Sequence, residues 1–255
     1  MPFEYVPLLR KQLELYMLPR GFERFQSYIK TIINETGDDV ALAPLVWMNP
    51  MGKEHCNALM EQYLSREIDA ERLAQETLAE FATDAALRVS LVLVDDAKGG
   101  WTNRTDYEYK LRTQLGATLR RSHWLSLMLW TSATPSPEIV VETTRITLRR
   151  ALHVLAHGDP KTLQEILAQE AIAQTKYPAL APDERTYTRE VLTPLLDTPI
   201  DNMPVIVAAL FGDTAATGLG YPPLGLGDNA GISIANQTPW RWCQGELLPS
   251  FLHSL

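Results

Sequence analysis

Apolar positions along the chain follow two rhythms, and the change between them marks out the elements. Residues 4–35 read as two helices broken near Pro19-Arg20-Gly21, and in the second Phe22, Phe25, Ile29, Ile32 and Ile33 recur at helical spacing. Residues 40–48 are short and apolar and predict a strand, with Pro44 at a bulge or an edge. Asn49-Pro50-Met51-Gly52 stops that run, and residues 53–68 predict a helix with Leu59, Met60, Tyr63 and Leu64 on one side. Asp69 then stands where a cap would open a helix running through Leu78 and Phe81. Residues 89–94 are apolar almost without interruption, the pattern of a strand covered on both faces. A helix is expected over residues 106–121, and residues 124–130 form a third apolar run of strand length.

Strands alternating with helices are the grammar of a parallel sheet covered by helices. The second half is mainly helical, with helices expected over residues 137–157, 162–175, 183–196 and 203–211. Seven of the 14 glycines then fall between Gly212 and Gly245, a long irregular segment of the kind that is usually functional or disordered. The expected fold class is therefore α/β: a short, mainly parallel β-sheet covered by helices, with a largely helical second half and an irregular Gly/Pro-rich C-terminal segment. The expected organisation is one α/β domain over residues 1–211, with residues 212–255 packed on it or forming a lid.

Composition narrows the function classes. At 255 residues, 45% hydrophobic and 21% charged, the chain is long enough to bury a sizeable core. A net charge of −8 argues against a nucleic-acid partner, which needs a basic face. No apolar run approaches the roughly 20 residues of a membrane span, and the N-terminal stretch lacks the apolar core of a signal peptide. Cys56 and Cys243 are the only cysteines, far apart, as in reduced cytoplasmic proteins. A cytoplasmic protein without membrane partner is expected. A homo-oligomer is compatible with this composition, which specifies none.

The candidate chemistry sits where apolar runs stop. After residues 89–94 comes the stretch VDDAKGGWTNR, residues 94–104. Ligands of open α/β sheets bind beyond the carboxyl ends of strands, which places Asp95 and Asp96 well for acid–base work or for a divalent metal such as Mg2+. Gly99 and Gly100 would let backbone amides approach an anion, and Lys98 and Arg104 would neutralise it. The plain alternative is a polar connecting loop. Asn49, Lys53 and His55 hold the corresponding place after the first expected strand, with Lys53 near a helix N-terminus and His55 as a second proton-transfer group. That stretch alone reads equally as an ordinary helix start. The run that ends at Trp130 adds the hydroxyls of Thr131, Ser132 and Thr134. Three polar ends meeting at one rim predict a site, with Asp95, Asp96 and His55 as catalytic groups.

Other motifs carry less. His153 and His157 have the spacing of zinc ligands on a helix, but no glutamate lies between them, and Gly158 after His157 is a helix-end signature. Gly225-Leu226-Gly227-Asp228-Asn229-Ala230 spells a dinucleotide fingerprint without the strand and βαβ unit that give it meaning. The reading that results is an enzyme acting on a small anionic metabolite at the strand ends. Its rival is a non-catalytic binding or assembly protein whose C-terminal segment contacts a partner.

Overall fold

The computed structural model describes residues 3–52, 54–82, 85–97, 102–174 and 178–237. They form two compact units, Met1–Asp159 and Pro160–Leu255.

The first unit is α/β. Its three strands, β1 (Glu4–Tyr5), β2 (Arg88–Val94) and β3 (Trp124–Trp130), are parallel and lie in the order β1-β2-β3. β2 is the central strand, and Val89, Ser90, Leu91, Val92 and Val94 are all fully buried, as the unbroken apolar run requires. Its register with β3 runs from Arg88↔Trp124 to Val94↔Trp130. β1 pairs only Glu4 with Arg88 and Tyr5 with Val89.

Beyond β1 the edge of β2 is completed by a side chain. In α1 (Leu8–Met17) the fully buried Gln12 donates from Nε2 to the Leu93 carbonyl at 2.6 Å and accepts from the Leu93 amide at 2.9 Å. The primary amide thus stands in for the missing strand residue and satisfies both backbone groups. It also locks α1 against β2.

α2 (Phe22–Ile32) follows the expected break at residues 19–21. The strand expected over residues 40–48 does not form. Ala43–Trp47 is a 3-10 helix, and Val40 makes only an isolated bridge to Ile33. Pro44, in its first turn, has a fixed φ and no amide to give a ladder, which favours the tight helix. Leu45 is fully buried there, while Val46 is exposed. β1, too short to show an apolar rhythm, supplies the third strand instead.

α3 (Glu54–Tyr63) and α4 (Ala70–Leu78) complete the first crossover. Asp69 does not cap α4: it is left-handed, at φ 48°, and its carboxylate accepts from Arg72 Nε at 2.9 Å. α5 (Arg104–Thr113) and α6 (Leu115–Ser122) lead to β3. Asn103 caps α5 by accepting from the Asp106 amide, and Asp159 caps α6 by accepting from the amides of Gly116 and Ala117 at 2.6 and 3.0 Å. α7 (Pro137–His157) packs on β3 and α4; Ser136 caps it, Pro137 opens it, and Gly158 follows at φ 87°.

The second unit is helical: α8 (Leu163–Ala173), α9 (Pro182–Leu192), α10 (Met203–Phe211), α11 (Asp213–Gly218) and α12 (Ala230–Gln237). The segment expected to be irregular holds the last two of these helices. Its loop between them folds around Asp213, whose carboxylate accepts from the amides of Leu224 and Gly225. α12 packs against α10 with Gly231 against the Ala209 carbonyl, an approach that leaves no room for a Cβ. Among the described residues no helix is long and apolar enough to cross a membrane.

Candidate functional site

The carboxyl end of β2 delivers Asp95 and Asp96, and adjacent residues leave a strand in different directions. Asp95, 5% exposed, turns toward α3. Its Oδ1 lies 3.2 Å from His55 Nε2 and accepts from Thr131 Oγ1 at 2.9 Å. Asp96 turns toward the end of β3, where it accepts from the Ser132 amide at 2.9 Å and the Ser132 hydroxyl at 2.6 Å. Thr131 Oγ1 also stands 3.1 Å from Asp96 Oδ1, so one hydroxyl links the two acids. Arg104, half-exposed at the start of α5, donates to Ser132 Oγ at 3.2 Å, pairs with Asp96 at 3.5 Å and lies over the Trp130 ring.

The sheet order never reverses, so these strand ends do not open the crevice of a doubly wound sheet. The second wall comes from the first turn of α3, and a chain of contacts fixes its position. Arg24, buried at 7% exposure, donates to the carbonyls of Tyr16 and Leu18 at the end of α1 and to the Gly52 carbonyl at 3.3 Å. The Tyr16 hydroxyl donates to the Asn49 carbonyl at 2.5 Å. A Cβ on Gly52 would fall 2.5 Å from that hydroxyl, so only glycine permits this approach. α1, held to β2 by Gln12, therefore carries the start of α3 to the end of β2.

This turn also brings in Cys56, 2% exposed and not in a disulfide. Its Sγ lies 3.5 Å from His55 Nε2, the same nitrogen that faces Asp95. Tyr16 borders the cluster. Burial, then the neighbouring Cys56 and Asp95 and a hydrogen bond with Cys56, push its hydroxyl far above the ordinary tyrosine range. It stays a neutral donor. The ligand atoms of His55, Cys56 and Asp95 all lie within 4.8 Å of one another. Farther along α3, an open cleft of about 710 Å³ is lined by Ala58, Glu61, Gln62, residues 65–68 and Pro135, and by none of the cluster residues.

Of the residues expected at the site, the structure brings together His55, Asp95, Asp96 and Arg104. The route differs from the expected one: the His55 segment follows a 3-10 helix and not a parallel strand. Asn49 is used for the turn, its Oδ1 accepting from the Met51 amide at 3.0 Å. Lys53, Lys98, Gly99 and Gly100 lie outside the described residues. Cys56 and Tyr16 are the additions. A cysteine beside a histidine at a helix start was the available signal, but consecutive helical positions point about 100° apart and do not announce convergence.

The remaining histidine pair is separate: the rings of His153 and His157 face one another at 4.6 Å near the end of α7. No family model matches the chain, and no curated protein or solved structure matches it significantly.

Proposed function

We propose that the protein is an enzyme acting on a small anionic metabolite by hydrolysis or group transfer, at the rim formed by the ends of β2 and β3 and the start of α3. The observation that carries this reading is the meeting of Asp95 with His55 at 3.2 Å across two elements remote in sequence. A buried carboxylate beside a partly exposed imidazole is an arrangement that acid–base chemistry can use. Thr131 fixes the carboxylate and ties it to Asp96, which holds Arg104 a few ångströms away. Arg104 keeps guanidinium surface in solvent, and that surface is the anchor for the anion. Asp96 positions Arg104 and the β3 turn and takes no part in the chemistry.

The test is a thermal-shift panel of inorganic phosphate, phosphorylated metabolites and small dicarboxylates, because a ligand bound only to the folded state raises Tm by mass action. At least one anion class should raise Tm, and Arg104→Ala should weaken that shift while the unliganded Tm holds. A panel without response, or a shift that Arg104→Ala leaves intact, contradicts the reading.

A further inference from the structure

We infer that His55 Nε2, Cys56 Sγ and Asp95 Oδ1 are three ligands of one zinc-class cation, whose fourth position is left for water or a substrate oxygen. The inference deepens the proposed function and rests on the same site.

Three observations carry it. First, one ring nitrogen is the meeting point of a carboxylate oxygen and a sulfur. His55 Nε2 faces both the Asp95 carboxylate at 3.2 Å and the Cys56 sulfur at 3.5 Å. A cation placed between the three atoms would take one lone pair from each.

Second, two of the three separations are those of a coordination polyhedron. Zinc bonds of about 2.0–2.1 Å to nitrogen, about 2.0–2.2 Å to oxygen and about 2.3 Å to sulfur, at tetrahedral angles, put N···O at about 3.4 Å and N···S at about 3.5 Å. The observed N···O and N···S separations are 3.2 and 3.5 Å, and the sulfur and oxygen, within 4.8 Å of each other, would draw together on the cation.

Third, Asp95 has an outer partner of the right polarity. Thr131 Oγ1 donates to its ligating oxygen at 2.9 Å. Such groups orient ligands, and their loss commonly costs about 10–100-fold in affinity.

The donor set selects the metal class. A thiolate with an imidazole favours zinc and its transition-metal neighbours over Mg2+, which demands oxygen. Binding releases the Cys56 proton to solvent, and the thiolate and carboxylate together neutralise the dication. Three protein ligands with one open position are the pattern of catalytic and not structural zinc. Cys56 and Asp95 are buried while the His55 side chain is 17% exposed, so solvent reaches the cation along His55.

The decisive experiment is a Co2+ titration of the full chain, stripped with chelator and kept reduced, followed by absorption. Expected are a thiolate-to-cobalt charge-transfer band and the intense visible bands of a four-coordinate site, saturating stoichiometrically and bleached by Zn2+. Cys56→Ser should abolish the charge-transfer band, Cys243→Ser should keep it, and Thr131→Ala should weaken Co2+ affinity about 10–100-fold. Should Cys56→Ser fold poorly, His55→Gln and Asp95→Asn read the same affinity with the thiol intact, and each should lower it at least tenfold. No charge-transfer band, or one that follows Cys243, overturns the inference. Inorganic phosphate added to the cobalt protein separates the two proposals. A band that phosphate does not perturb, with no Tm shift by any anion, keeps the metal and sinks the proposed function. An anion shift without the band does the reverse.

Discussion

Asp95 and Asp96 are adjacent and chemically identical, yet the fold gives them separate duties. Asp96 accepts two hydrogen bonds from Ser132 and holds Arg104, with 4% of its side chain exposed. Asp96→Ala should therefore leave its donors short of a partner and cost about 1–3 kcal/mol of stability, with Co2+ binding retained. Urea unfolding beside a metal titration checks both parts; full loss of binding with unchanged stability would contradict it. Asp95→Asn should do the opposite, keeping the unfolding midpoint and losing at least tenfold in metal affinity. At this scale the sequence was partly legible. The acids and His55 stand out as polar residues where elements begin or end. Which acid faces α3 depends on the parity at which β2 stops, and the closeness of Cys56 depends on tertiary packing that no local spacing encodes.

Among the elements, legibility tracked the strength of local signals. α7 and α10 fall at the expected residues, Pro137–His157 and Met203–Phe211, because prolines open them and glycines follow. The 3-10 helix passed for a strand because the short apolar run at residues 40–48 has no clear period to separate the two. β1, two residues long, is too short to show a period, and Gln12 does the corresponding work at the far end of β2. Removing that amide tests the point: Gln12→Ala leaves the Leu93 amide and carbonyl buried and unpaired, for about 2–4 kcal/mol lost in urea unfolding. A loss well under about 1 kcal/mol would mean the edge of β2 is satisfied otherwise.

The α5–α7 region makes a pH prediction. Burial alone would raise the Glu108 carboxyl, but Arg112 and Arg150 outweigh it and hold it below the usual glutamate range. Arg112 Nη1 donates to Glu108 Oε2 at 2.5 Å, with Arg112 only 3% exposed. A carboxyl depressed in the folded state stabilises above its unfolded pKa of about 4.3, and that contribution vanishes as pH falls through the folded value. Glu108→Gln should cost about 3 kcal/mol near neutrality and flatten the acid limb of stability against pH. Denaturant midpoints taken from neutral pH down into the acid limb measure this, and an unchanged acid limb would contradict it.

At the scale of the whole molecule, every proposed ligand lies in the first of two compact units. Residues 1–159 produced alone should then keep the cobalt spectrum of the full chain; a spectrum lost in a folded fragment would assign a ligand to the remainder. The net charge of −8 forbids no anion site, because a buried cation and Arg104 act locally where the overall field does not. The central claim is that β2, α3 and the Gln12-locked α1 build one N, S, O cation site. X-ray absorption at the zinc edge of the stoichiometric complex tests it most directly. The predicted result is one sulfur at about 2.3 Å with nitrogen and oxygen neighbours at about 2.0–2.2 Å, the sulfur lost in Cys56→Ser. A shell of oxygen and nitrogen alone, or two sulfurs, would contradict it.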